Sequence, residues 1–512
     1  MASATLTKPR PRPTPLRRLR GLEASTWAKV GFGALCIGAL AGFLLYPTYP
    51  TYDSFYALLW GRDLLHLHTP DFHVYRGPTE HPLAIAFGTV CAIFGQAGAR
   101  LMVLGSVGSF VALVAGSFRL GRLCFGPVVG WLAALVVLSR FFVENLAAQG
   151  YLDITYLALI VWAVALEVQR PRRGVVVFGL LAAAGLLRPD AWALSGVYWL
   201  WCCRPRRGDR EPIGNRRRLG YLGLAAIGPL VWALVDGLVT GDPLYSLHST
   251  AGLAQELERT QGLTSVVESL WNYGVRIDKL PVLLGGFAGV GLAVWLTPRR
   301  ALTPLVALLT LIGVYVAQGV VGASLVDRYL MGAATMLLPF CAVAIGGWAM
   351  LVPGTAMRRV WMAGAAVLVL YGGLSAARSL NLSNLRTTLA YHEDFHEGLA
   401  AALSSPRVKA VLARCPLVSL PDNKLIPDAR WILDSVNQKD IVARSQARGE
   451  AEKGNRALEE RLGEGSVAVY PLGSAVFFEA IVDVGDDPRD QIPQSGYRRI
   501  YTSRYYAVYD NC

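Results

Sequence analysis

From Trp27 to about residue 380, long apolar runs alternate with short polar segments, many of them basic; beyond that the chain turns mixed and charged. The run lengths suit a hydrocarbon core of ~30 Å, and the ~10-residue alternation of a membrane β-barrel does not appear. The pattern predicts a polytopic α-helical membrane protein with about 11 transmembrane helices. They are expected near residues 27–46, 101–118, 127–143, 151–169, 174–188, 190–203, 219–239, 281–296, 301–323, 329–352 and 360–379. Pro82–Gln96 is also apolar. If it crossed, Arg119, Arg122 and every later basic loop would fall on the opposite side; a re-entrant or interfacial helix keeps the basic loops together. That is the expectation, although the pattern leaves open whether 82–97 crosses.

The same pattern divides the chain. Residues 1–26 read as a basic cytoplasmic tail, since basic segments mark the cytoplasmic side. Residues 27–380 form the transmembrane domain, with an external loop at 47–81, and residues 381–512 read as an extracytoplasmic soluble α/β domain. In that last part a helical pattern covers Tyr391–Leu412, and strand patterns cover Ser466–Tyr470, Val476–Val482 and Tyr505–Tyr509.

Composition narrows the function. The chain has 512 residues, 53% hydrophobic and only 17% charged, with a mean hydropathy of +0.39, against roughly a quarter charged in soluble domains. The net charge of +13 is spread over the short basic loops, which speaks for membrane orientation and against nucleic acid. Six of the eight cysteines lie in or beside apolar helices; Cys415 and Cys512 alone fall in the soluble part and are expected to form a disulfide there. No CxxC or HExxH zinc pattern is present.

The candidate chemistry sits at one end of the predicted bundle. Loop 47–81 holds Asp53, Asp63, Asp71 and Glu80 with His66, His68, His73 and His81. On the mapped topology Arg140, Glu144, Asp153, Arg188, Asp190, Asp236, Asp327 and Arg328 face the same side, and the mid-membrane is nearly free of charge. An ion-coupled transporter would hold its charges near the midplane. Charge at one interface suits a reaction between a lipid-borne group and something outside. Tyr49, Tyr52, Tyr56, Trp60 and Tyr75 read as interfacial anchors, and the plain alternative for Asp53 is the cap of an interfacial helix starting at Ser54.

The order of several short elements resembles the GT-C superfamily of integral-membrane glycosyltransferases, in its bacterial mannosyl- and aminoarabinosyl-transferase-like branch. These elements are Thr51-Tyr52-Asp53-Ser54-Phe55-Tyr56, Glu80-His81-Pro82-Leu83, Tyr151-Leu152-Asp153, Leu187-Arg188-Pro189-Asp190 and Asp327-Arg328-Tyr329-Leu330. The resemblance covers residues 27–380. It implies an enzyme that moves a sugar from a polyprenyl-phosphate donor to an acceptor hydroxyl of a glycan, lipid or protein, at the outer face of a bacterial plasma membrane. It places the catalytic base on Asp53. The family often pairs two acids there, and here Ser54 follows Asp53; a second acid would come from Glu80, Asp71 or Asp153, and a divalent metal is left open. Arg328 first and Arg188 second are the candidates for the donor phosphate. The rival readings are a transporter or flippase of lipid-linked sugars and a non-enzymatic envelope assembly protein.

Overall fold

The computed structural model describes residues 15–205, 214–379, 382–435, 438–473, 487–493 and 495–512. The apolar runs are helices, as hydrocarbon requires of a backbone that must satisfy its own hydrogen bonds. By length and composition, seven helices among the described residues could cross a membrane: Thr26–Leu45, Gly95–Phe125, Asn215–Thr240, Leu263–Leu296, Pro298–Val320, Asp327–Met350 and Ala356–Arg378. Pro127–Leu138 and Phe141–Ala148 meet at a bend of 61° and make an eighth if taken as one span.

The expected spans near 151–169, 174–188 and 190–203 are helices of 17, 11 and 14 residues, Asp153–Gln169, Val175–Gly185 and Asp190–Cys203. The run expected at 281–296 is the second part of a 34-residue helix, Leu263–Leu296, broken at Lys279 (φ 61°). The break lies just ahead of Pro281, whose ring and missing N–H disrupt the preceding turn.

Two helices that hydropathy alone does not set fix the end of the bundle. Tyr52–Leu65 lies within loop 47–81, and Pro82–Ala92 follows that loop. The second has 11 residues, ~16 Å of helix against a ~30 Å core. The two cross with backbone against backbone: a Cβ on Gly88 would stand 2.2 Å from the Ala57 carbonyl oxygen, and one on Gly61 2.3 Å from the Thr89 nitrogen. Only glycine permits such an approach. The crossing helps bury Ser54 through Asp63. Tyr56 and Trp60, expected at a lipid interface, are therefore core residues, 0% and 1% exposed.

Asp327–Gly346 is the most enclosed of the long helices. It packs closely on Leu263–Leu296, where a Cβ on Gly289 would fall 1.8 Å from the Phe340 carbonyl oxygen. The first turn of the same helix carries Asp327 and Arg328.

The C-terminal part holds a five-stranded mixed sheet: β1 (Val418–Leu420), β2 (Ile441–Ala443), β3 (Val467–Pro471), β4 (Arg498–Thr502) and β5 (Tyr506–Asp510), in the order β2-β1-β3-β5-β4. β1 runs parallel to β2 and β3, and β5 antiparallel to β3 and β4. Helices Leu382–Ser404, Pro406–Leu412 and Ile426–Ile432 supply further core residues. Pairing between β1 and β3 stops after Ser419 and Ala468, and the buried Arg444 guanidinium enters there. It donates to the Ser419, Val469 and Asp490 carbonyls, each at 2.9 Å. The strands at 467–471 and 506–510 lie where the sequence pattern places them. β1 and β2, three residues each, are too short for alternation to reveal. The strand expected at 476–482 and the division at residues 380 and 381 lie outside the described residues.

Cys415 and Cys512 form a disulfide, 97 residues apart in sequence, joining the approach to β1 to the end of β5. Cys415→Ser is expected to cost the C-terminal part ~2–5 kcal/mol, read as faster amide exchange in β3 and β5. Unchanged exchange there would mean that the bond contributes nothing to its stability.

Candidate active site

Asp53 lies in the first turn of Tyr52–Leu65. The helix begins at Tyr52 with Thr51 at its cap, and no side chain caps it, so Asp53 is not spent as a cap. Its start is fastened by two other bonds: the Thr51 N–H donates to the Gln149 carbonyl at 2.9 Å, and the Ser54 hydroxyl donates to the Gly150 carbonyl at 2.7 Å. The Asp53 carboxylate accepts a charge-assisted hydrogen bond of 2.8 Å from Arg328.

Three further acids occupy the same place on their own helices. Asp153, Asp190 and Asp327 lie in the first turns of Asp153–Gln169, Asp190–Cys203 and Asp327–Gly346. The positive ends of the helix dipoles favour carboxylates there. Three arginines hold the four acids. Arg328 reaches Asp53 and also Asp153, at 3.7 Å. Arg188, in the turn between two short helices, is bonded to Asp153 and to Asp190, the latter at 3.1 Å. Arg276 pairs with Asp327 at 3.3 Å. Each guanidinium lies over an aromatic ring: Arg328 5.3 Å from the Tyr151 ring centre, and Arg188 4.9 Å from that of Tyr329. The network is graded in exposure. The Arg188 side chain is 10% exposed, whereas those of Arg328 and Asp53 are 34% and 24% exposed.

The other second-acid candidates lie elsewhere. Asp71 accepts from the His73 N–H at 2.8 Å and lines a cavity of about 400 Å³ with Tyr56, Tyr75, Arg430, Lys439 and Arg461. Glu80 accepts no bond from Arg328 among the described residues; its carboxyl meets the Ser246 hydroxyl at 3.0 Å. His81, beside it, packs edge-on against Trp232. Burial pushes its ring down to about 4, so it is neutral, with the charges of Asp53 and Asp153 opposing that shift. Among the described residues no three His, Cys, Asp or Glu side chains come together as a metal site. Each acid around Asp53 is instead held by an arginine, so this donor set does not fit a metal ion.

The helix of Asp53 is also the docking surface of the C-terminal part. The Tyr49 hydroxyl donates to Asp428 at 2.5 Å, and His396 shares a hydrogen bond of 2.5 Å with the other oxygen of Asp428. Asn423 donates to the Tyr52 hydroxyl at 3.0 Å, and Arg62 donates to Asp434 at 2.7 Å. None of these partners carries a local sequence signal. Neither do Arg276 and Ser246, which long-range packing alone brings to the site.

No known sequence family matches the chain, and no curated protein matches it in sequence. Its fold does have solved counterparts. The oligosaccharyltransferase AglB of Archaeoglobus fulgidus, in complex with an inhibitory peptide and a dolichol-phosphate, is 12% identical with a TM-score of 0.54; the match covers 95% of this chain and 74% of that one. The Archaeoglobus fulgidus oligosaccharyltransferase tethered to an acceptor peptide containing the NVT sequon is 11% identical with a TM-score of 0.52, over the same shares. The form in complex with Zn and sulfate is 12% identical with a TM-score of 0.52, over 93% and 73%. At such identities the likeness is one of fold: a membrane fold of the GT-C type, in agreement with the resemblance in the sequence.

The network separates support from access. Arg188→Ala strands two buried carboxylates and is expected to destabilise the protein by ~3–5 kcal/mol, seen as a lower Tm in detergent. Arg328→Ala, at a more open position, should lower Tm clearly less. Equal losses would contradict the graded burial of the two groups.

Proposed function

We propose that the chain is a glycosyltransferase that moves a sugar from a polyprenyl-phosphate donor to an acceptor hydroxyl, with Asp53 as base and inversion at the anomeric carbon. The observation that carries this reading is the partly exposed Asp53–Arg328 pair, backed by the buried Arg188 cluster, at one end of a helical bundle. The proposed orientation sets residues 1–26 in the cytoplasm and both Asp53 and residues 381–512 outside a bacterial plasma membrane. The similar oligosaccharyltransferase was captured with dolichol-phosphate, which supports a lipid-phosphate donor on this fold. The acceptor is a glycan, lipid or protein hydroxyl.

Arg328 has two carboxylate neighbours, Asp53 at 2.8 Å and Asp153 at 3.7 Å. A donor phosphate that engages its planar fork takes the place of Asp53, while Asp153 keeps the guanidinium in position. Asp53 is thereby released as an anion beside the acceptor. The acceptor oxygen bonds to the anomeric carbon on the face opposite the phosphate. The carbon–oxygen bond to the phosphate breaks, and its electron pair leaves with the lipid phosphate, whose charge Arg328 stabilises. Asp53 takes the hydroxyl proton and later passes it to water. One displacement inverts the configuration, unlike a two-step retaining route. No step in this scheme runs through a metal ion.

Purified protein with a labelled polyprenyl-phosphate sugar tests the scheme. Asp53→Asn should reduce transfer by about 10²–10⁴-fold while the protein stays folded, and the wild-type product should carry the anomeric configuration opposite to the donor's. Full transfer by Asp53→Asn removes the mechanism. Donor translocation without a new glycosidic bond favours a flippase.

A further inference from the structure

Glu80, Asp236 and Ser246 come from three separate segments and meet in one closed place. All three are buried, at 1%, 2% and 3% exposure. The Ser246 Oγ lies 3.0 Å from Glu80 Oε2, 2.8 Å from Asp236 Oδ1 and 2.9 Å from Trp232 Nε1. A serine hydroxyl has one hydrogen and two lone pairs. The Trp232 indole can only donate, so it occupies one lone pair. The single hydroxyl hydrogen can serve one carboxyl only. If both carboxyls were ionised, one would face a bare oxygen lone pair beside a second buried anion, a costly arrangement away from water. All three bonds form together if one carboxyl carries a proton and donates it to Ser246.

The geometry also distinguishes the two acids. Asp236 accepts the Ser246 backbone N–H at 2.9 Å on Oδ2, in addition to the hydroxyl on Oδ1. Both of its oxygens are therefore served as an anion's would be. Besides Ser246, Glu80 has only its own backbone N–H as a donor among the described residues. We infer that Glu80 is a neutral carboxylic acid whose O–H donates to Ser246, while the Ser246 hydroxyl donates to Asp236. One proton thus clamps the end of loop 47–81 onto helices Asn215–Thr240 and Tyr245–Glu256. Glu80 is then a positioning residue and not a second base. It precedes His81, whose ring feels the charges of Asp53, Asp153, Arg188 and Arg328, and so it holds that wall of the site in place. This consequence for catalysis rests on the glycosyltransferase reading; the protonation itself does not.

The groups facing Glu80 agree with the assignment. Burial first, and the Asp236 charge on the neighbouring helix, push Glu80 up to about 7, while its own backbone N–H and Ser246 oppose the shift. Tyr245, on the third segment, is raised in turn by burial and by the Glu80 charge, and His81 is neutral. A carboxyl whose folded value is raised contributes stability that is complete below about 4.5, its ordinary value, and is lost as pH rises through about 7.

The test compares the wild type with Glu80→Gln, whose amide keeps the size and an N–H for Ser246 but cannot titrate. Infrared spectra taken below neutrality are expected to hold a protonated-carboxyl band that Glu80→Gln lacks. The Tm of the wild type should fall relative to that of Glu80→Gln as pH rises past the Glu80 titration. In the transfer assay, the alkaline limb should fall roughly tenfold per pH unit in the wild type, as loss of one essential proton requires, and should move to higher pH in the variant. Identical infrared spectra, or parallel Tm curves across that range, overturn the inference. Both of these readouts are independent of sugar transfer, so an inactive enzyme with the predicted spectra would count against the glycosyltransferase reading alone.

Discussion

The structure at this end of the molecule depends on the mutual neutralisation of four helix starts. Carboxylates stand in the first turns of Tyr52–Leu65, Asp153–Gln169, Asp190–Cys203 and Asp327–Gly346, and each is held by an arginine. Arg188 and Arg328 each bridge two acids and share Asp153, and Arg276 holds Asp327. The same bonds align the ends of helices that are far apart in sequence. The two bridging arginines differ in exposure: Arg188 is enclosed between the helix ends, and Arg328 is the more open.

Parts of this arrangement were legible in the sequence because they are local. Asp53, the Arg188-Pro189-Asp190 turn and the Asp327-Arg328 pair each interrupt apolar runs, where an ionisable residue demands an explanation. Hydropathy could not show which of them touch, since Arg188 and Asp153 stand 35 residues apart and Arg328 and Asp53 275. The span count proved harder to read for a related reason. The runs near 151–169, 174–188 and 190–203 are helices of 17, 11 and 14 residues, and hydropathy does not reveal where such helices break. Tyr56 and Trp60 read as interfacial because aromatic residues favour interfaces; the pattern around them does not show that Pro82–Ala92 and the C-terminal part cover them.

Glu80 illustrates the limit most clearly. In a linear reading it is one more acid beside Asp53, and a natural second member of a catalytic pair. In the fold its carboxyl meets a serine 166 residues away, and its neighbours there include another acid. The chemistry of a carboxyl is set by what surrounds it, and here those surroundings come from elsewhere in the chain.

The sheet of the C-terminal part has its switch in strand order between β1 and β3, where sheets of this kind leave a crevice for small molecules. Here Arg444 is wedged into that gap, its nitrogens taken up by backbone carbonyls. The loop after β1 and the helix that follows it contribute Asn423 and Asp428 to the helix of Asp53 and to Tyr49 just ahead of it. A topology elsewhere suited to gripping a cofactor has thus become a buttress: its would-be cleft is sealed from within, and its working surface steadies another part of the same polypeptide.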